Sequence, residues 1–438
     1  MSSPATTRAP LPEGTIPVAT ALIIAGVATY AFFKVGTWAV GGADEFKTIS
    51  SLWFATFALA PGFFLPLEQE LGRALAHRRA TGEGGHPVVS KVVRLAAVLV
   101  ALVLIAILAL SPLIASHYFD GDWVMVAALM TAFAAYGPAH LARGICSGSG
   151  RFRQYAIVMG SDGVVRIVLC VLLAIAGISA TGPYGFAVAL APIVGVGFVY
   201  SRRALDTEPG PVATWGEVTP NLGWLLLGSV FAAALLNAGP IATTLLAGDT
   251  DSAAVTQFAY GVLLARIPLF MFQAVQAALL PRLSRLAATG ELLEFRAGLR
   301  RLMVLVLAVG VVGSIGAFIL GPVVIEVVYD ADLTGRTLAM LALGSACYMV
   351  ALALAQAVIA LKGHPLVALG WITGVVSFVL ATWLSSDDLF TRVEIGLLVS
   401  SVAAMTAFAL ALRYKLAAGA VPDRESVLEA ITDMPLET

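Results

Sequence analysis

The sequence predicts an all-α integral membrane protein: about twelve transmembrane helices in two six-helix halves, with both termini in the cytoplasm. Three observations predict it. Of 438 residues, 59% are hydrophobic and only 12% are charged, with a mean hydropathy of +0.92, whereas a soluble domain carries about 25% charge. The apolar residues gather into runs of the length that crosses roughly 30 Å of hydrocarbon at about 1.5 Å per residue, with none of the short alternating segments of a closed barrel. Basic residues concentrate in every second connection, as they do where short loops are retained in the cytoplasm.

In order, the apolar runs fall at 16–40, 48–67, 92–116, 123–145, 154–178, 183–200, 218–246, 253–280, 302–325, 338–361, 367–384 and 395–412. They divide the chain into an N-terminal tail 1–15, a first lobe 16–200, a polar linker 201–217, a second lobe 218–415 and a C-terminal tail 416–438. The first run is too long for a cleaved signal peptide, and Arg8 is the only basic residue ahead of it, so it is read as a retained helix. In the last tail, residues 424–431 have a weak amphipathic pattern, and a disordered terminus is the simpler expectation there.

Twenty of the 26 Lys and Arg residues fall at one set of alternating ends, among them Arg73, Arg78, Arg79, Lys91, Arg143, Arg151, Arg300, Lys362 and Arg413. Three, Lys47, Arg336 and Arg392, fall at the other set, which is marked instead by the acidic pairs Asp44/Glu45, Asp120/Asp122, Asp249/Asp251, Asp330/Asp332 and Asp387/Asp388. That asymmetry places both termini inside.

Composition excludes several classes. With 26 basic against 27 acidic residues the chain is no nucleic-acid binder, and the apolar content rules out disorder. The three cysteines and five histidines lie apart in sequence without metal-ligand spacing, so no metal site or cofactor is expected. No Gly-x-x-x-x-Gly-Lys-Ser/Thr loop is present, hence no nucleotide engine. Arginine outnumbers lysine 21 to 5 and alanine is abundant, a composition that goes with a GC-rich bacterium and, for this chain, its plasma membrane.

Three cations and one acid lie deep inside the predicted spans: Lys34, Arg166, Arg266 and Asp162. A charge at that depth needs a partner, a water-filled cavity or an escape to the interface. Lys34 stands about two turns from the outer end of its span, where a four-carbon stem reaches water by snorkelling as readily as it lines a cavity. Asp162 and Arg166 are four apart on one helix face, placed either to neutralise each other or to act together. Arg266 has no acid within a turn and lies beside Pro268, which removes a backbone donor and should kink the helix there. Lys34, Arg166 and Arg266, with Asp162 as partner, form the expected substrate site.

A faint repeat accompanies these charges. Pro61 and Pro268 sit in similar contexts 207 positions apart, and Gly150 and Gly363 in similar turns 213 apart. Offsets near half the chain length point to a parallel six-plus-six duplication, with Pro61, Pro268, Gly150 and Gly363 as expected hinge or gate positions.

Residues 65–73 (Leu-Pro-Leu-Glu-Gln-Glu-Leu-Gly-Arg), 143–152 (Arg-Gly-Ile-Cys-Ser-Gly-Ser-Gly-Arg-Phe), 266–270 (Arg-Ile-Pro-Leu-Phe), 280–285 (Leu-Pro-Arg-Leu-Ser-Arg) and 360–365 (Ala-Leu-Lys-Gly-His-Pro), in that order and spacing, resemble the Wzx-like polysaccharide flippases of the MOP exporter superfamily. The resemblance runs from the first span to the last. It implies a MATE-like fold with a central cavity that opens alternately to each side, a polyprenyl-pyrophosphate-linked glycan as substrate, and glycan polymerases or ligases as partners beside the lipid bilayer.

Rival readings make different demands. A major-facilitator transporter has the same number of spans, but its Gly-x-x-x-Asp-Arg-x-Gly-Arg inner loop is missing. A MATE-type multidrug or cation antiporter needs cavity carboxylates, and only Asp162 qualifies. An enzyme such as a membrane glycosyltransferase needs a large outer loop, and none is present. A non-transporting scaffold would leave the spans uncharged or neutralised in pairs. The surplus of about two positive charges at membrane depth suits a pyrophosphate held by charge-assisted hydrogen bonds. An inside-negative potential, or an ion gradient, is the expected drive, the former worth about 2.3 kcal/mol per charge per 100 mV.

Overall fold

In a computed structural model the residues described are 15–218, 222–248, 251–269, 272, 283, 286–287 and 289–417. Among them every regular element is a helix: α1 (Thr15–Val40), α2 (Ala43–Ala80), α3 (His86–Tyr118), α4 (Trp123–Gly148), α5 (Phe152–Ile175), α6 (Thr181–Ser201), the single turn α7 (Trp215–Val218), α8 (Leu222–Leu246), α9 (Ser252–Ala265), α10 (Leu292–Tyr329), α11 (Gly335–Ala360), α12 (His364–Leu384) and α13 (Leu389–Ala417). Eleven of the described helices are long and apolar enough to cross a membrane. They coincide with the expected runs, the far part of the eighth lying mostly outside the described residues. The tail segment 424–431 and almost all of residues 1–15 also lie outside the described residues.

Local chemistry sets the helix ends. Asp122 caps α4 by accepting from the amides of Val124 and Met125 at 2.8 and 3.2 Å, and Thr334 caps α11 through the Thr337 amide at 3.2 Å, satisfying donors that no helical carbonyl can reach. α3 and α12 each open with His-Pro, where proline's missing N–H is harmless. α2 and α10, at 38 residues each, are about 57 Å long and therefore project well beyond the hydrocarbon at their arginine-rich ends.

The same packing scheme occurs twice. In the first lobe α1 packs on α5, α2 and α3 on α4, and α4 and α5 on α6; in the second α8 packs on α12, α9 and α10 on α11, and α11 and α12 on α13. This repetition agrees with the duplication expected from sequence. The turns at the two expected hinge glycines differ in backbone geometry. Gly150 closes α4 with φ +71°, its amide bonded to the Ser147 carbonyl and that of Arg151 to the Cys146 carbonyl, a Schellman ending. In the second lobe Lys362, not Gly363, takes the left-handed position at φ +55°, with the same two bonds one residue earlier, and Gly363 has an ordinary φ of −95°.

The lobes meet where α2 packs on α8 and α9. At Gly62 an added Cβ would lie 3.0 Å from the Val230 Cα, so any side chain there would press on the backbone of the other lobe. Toward the acidic end the seam is stitched by Thr37–Tyr260 at 2.6 Å, Tyr30 donating to the Leu263 carbonyl at 2.7 Å, Thr256 to the Ala43 carbonyl at 2.7 Å, and Ser51–Thr244 at 3.0 Å. Toward the basic end the first lobe instead holds an open cavity of about 510 Å³ between α1, α2, α4 and α5.

The expected linker, 201–217, is a strap laid on the first lobe. The buried Arg78 donates to the Glu217 carboxylate at 2.6 and 3.0 Å and to the carbonyls of Gly84 and Pro211 at 2.9 and 2.8 Å. The His86 amide bonds the Glu208 carbonyl at 3.0 Å, Arg151 the carbonyls of Ala204 and Asp206, and Lys91 lies 4.8 Å from the Trp215 ring.

Candidate functional site

Two of the three cations expected to act together do converge. On α2, Trp53, Phe54 and Phe57 form an aromatic cluster with ring centroids 4.4–4.9 Å from Trp53. The Arg166 guanidinium, from α5 of the first lobe, lies 4.9 Å from the Phe57 ring, and that of Arg266, from the second lobe, lies 5.4 Å from the Phe54 ring. Residues three apart on a helix share a face about 4.5 Å apart along the axis, so one turn of α2 receives a cation from each lobe. Both arginines are buried.

Their surroundings differ. Arg166 bonds Asp162 through Nη2 at 3.1 Å, as the four-residue spacing predicts, and Tyr136 donates to the same carboxylate oxygen at 3.0 Å. Nε and Nη1 of Arg166 and Oδ1 of Asp162 are buried with no hydrogen-bond partner. A buried donor left unmatched in that way destabilises the protein by about 1–3 kcal/mol, which marks the pair as incompletely satisfied by the protein.

Arg266 has no carboxylate partner among the described residues. Its Nη1 donates to Asn237 Oδ1 at 3.0 Å and its Nη2 to the Leu236 carbonyl. That carbonyl is free because Pro240, four residues on in α8, has no N–H to offer it. Arg266 also borders a small void of about 30 Å³ with Ser345, Tyr348 and Ser401. α9 ends at Ala265 with Arg266 as its C-cap, so the interruption expected at Pro268 falls two residues earlier, as the steric demand of a proline on its predecessors allows. Pro268 faces Gly313 of α10, within its own lobe, whereas the Pro61 carbonyl accepts from Ser229 of the other lobe at 3.4 Å. Only the first of the two prolines therefore lies on the inter-lobe seam.

Lys34 stands apart from both arginines. It is exposed on the α1 face that carries Ile23, Val27 and Trp38, positions that repeat at helical spacing, and it forms no ion pair among the described residues. Snorkelling fits this position better than a cavity.

A second buried cluster escaped the sequence reading. Glu68 of α2 receives Arg143 at 2.7 and 3.0 Å on Oε2, has His140 Nδ1 2.8 Å from the same oxygen, and accepts from Tyr155 on Oε1 at 3.0 Å. Glu68 and Tyr155 line the 510 Å³ cavity with Gln69, Gly72, Ser147 and Phe152. The expectation that Asp162 is the only carboxylate at depth is thus corrected. Because α2 runs on to Ala80, the stretch taken as its exit lies inside the lobe. Among the described residues no group of His, Cys, Asp and Glu is placed to hold a metal ion.

Comparison with known proteins places the fold. No protein-family model matches the chain, and no curated protein does. Solved structures do. A mutant of the Vibrio cholerae MATE transporter VcmN is 15% identical, with 92% of this chain and 98% of that one covered and a TM-score of 0.67. A multidrug resistance MATE family transporter of the MOP superfamily is similar in both its inward-facing form (13% identity, 95% and 100% covered, TM-score 0.66) and its outward-facing form (15%, 92% and 96%, 0.67). The chain is an all-helical multi-pass membrane protein with the fold of the MATE transporters.

Proposed function

We propose that the chain is a transporter that moves a polyprenyl-pyrophosphate-linked glycan from the cytoplasmic to the outer leaflet by alternating access. The observation that carries this reading is the convergence of Arg166 and Arg266, one from each lobe, on a single turn of α2. A pyrophosphate offers acceptors to both guanidiniums at once, and guanidinium stays charged when buried. With the basic end cytoplasmic, the first-lobe cavity opens toward the side on which such a substrate is made. Both lobes change their distance when such a transporter rocks, so a ligand that needs both arginines couples binding to the lobe movement.

The test is transport of a fluorescent polyprenyl-pyrophosphate disaccharide in vesicles holding the purified protein. Arg166→Met and Arg266→Ala should each lower the rate roughly tenfold or more, since a charge-assisted hydrogen bond is worth about 1.5–3 kcal/mol and about 1.4 kcal/mol is tenfold. Arg266→Lys should keep part of the activity. Collapse of an inside-negative potential should slow the parent. A folded Arg266→Ala protein that transports at the parent rate would remove that residue from the site.

The buried, unmatched Asp162 Oδ1 favours a second reading, a MATE-type antiporter of organic cations. That reading expects Asp162→Asn to abolish ethidium export and leaves the glycan lipid untouched.

A further inference from the structure

The basic end of α10 carries a surface that fits acidic phospholipid. Leu292 to Arg301 form its first turns, beyond the apolar run that begins at Leu302. At about 100° per residue, Leu293, Arg296, Arg300, Val304, Leu307 and Val311 fall within an arc of about 80°, with Arg301 beside them. All seven are exposed, Leu293 at 83%. Val304, Leu307 and Val311 are the hydrocarbon-facing stripe of the helix, so Arg300 and Arg296 stand about 6 and 12 Å outward of Val304 on the same face, at the depth of lipid headgroups. None of the three arginines forms a hydrogen bond or ion pair among the described residues. The nearby acids, Glu291 and Glu294, lie off this arc, and Glu291 accepts from Thr289 at 2.7 Å.

The corresponding helix of the first lobe shows what covers such a surface elsewhere. At the basic end of α3, Lys91 is covered by Trp215 of the strap and Arg94 donates to the Ser90 carbonyl at 3.1 Å. No strap reaches α10 among the described residues. We infer that Arg296, Arg300 and Arg301 bind the phosphate of acidic phospholipids and so hold the second lobe at a fixed depth.

The experiment compares melting of the full-length protein in nanodiscs of phosphatidylcholine with its melting in equal parts of phosphatidylcholine and phosphatidylglycerol. The parent should melt higher in the mixture. The Arg296→Gln/Arg300→Gln/Arg301→Gln variant should melt with the parent in phosphatidylcholine and lose at least half of the phosphatidylglycerol shift, while Arg413→Gln/Lys415→Gln keeps it. Native mass spectrometry should show fewer phosphatidylglycerol molecules on the triple variant. A full shift in the triple variant, an equal loss in the Arg413/Lys415 control, or the same shift produced by inorganic phosphate in phosphatidylcholine alone would overturn the assignment.

Discussion

The two lobes share one packing scheme but handle buried charge differently. In the first lobe the cations turned into the helix bundle have carboxylates, Arg166 with Asp162 and Arg143 with Glu68, while Lys34 faces outward. In the second, Arg266 is held by neutral groups, the Asn237 side chain and a carbonyl released by Pro240. Ion pairing cancels charge, whereas amide dipoles orient a guanidinium and leave its charge in place. The duplicated scaffold thus contributes one nearly neutral wall and one cationic wall to the same turn of α2; on the proposed function, an anion would be drawn toward the second while its remaining acceptors meet the unmatched nitrogens of Arg166.

The largest effect that would break this contrast lies in the first lobe. Glu68→Leu leaves the partly buried Arg143 beside His140 with no counter-charge, and loss of one partner of a buried pair costs up to about 3–5 kcal/mol. Folded yield and melting temperature in detergent should both fall sharply. Replacing Glu68 and Arg143 together by methionines should recover most of the loss, because the cost comes from the stranded charge. Equal damage in single and double variants would show that Glu68 acts through packing.

A smaller effect separates neutralisation from binding at Asp162 and Arg166. Groups in direct contact couple by about 0.5–3 kcal/mol, so Asp162→Leu and Arg166→Met should each destabilise more than the pair of changes does. The double variant should be well folded and inactive if Arg166 holds the head group. Near-parental transport in the double variant would leave the first lobe a purely structural wall and assign the anion to Arg266.

Much of this architecture is legible in the sequence because the bilayer imposes few solutions. Runs of about 20 apolar residues must be helices, and Arg166, Asp162 and Arg266 stand out because charge at mid-span is rare. The same rule hides Glu68, His140 and Arg143. Near a span end charge is unremarkable, and only the 38-residue length of α2 shows that Glu68 is inside. Phe54 and Phe57 are silent for another reason, since an aromatic ring in an apolar run reads alike whether it faces lipid or a guanidinium. Hydropathy is also blind to facing, which is why Lys34 reads as a cavity cation until Ile23, Val27 and Trp38 appear on its side of α1.

The smallest effect concerns the turns that end α4 and α11. Both are Schellman endings, but one places glycine and the other lysine in the left-handed region, at φ +71° and +55°. A side chain there costs roughly 1–2 kcal/mol relative to glycine. Lys362→Gly should therefore stabilise the second lobe by about 1 kcal/mol, reduced by any contact the lysine gives up. Gly150→Ala should destabilise the first by a similar amount, since alanine takes on the left-handed penalty while the Arg79 guanidinium, the end of a flexible side chain, can swing aside. Melting of the two single variants in one detergent measures the difference directly. If Lys362→Gly melts lower than the parent, the lysine side chain is needed at that turn, and the two endings differ in function as well as in residue.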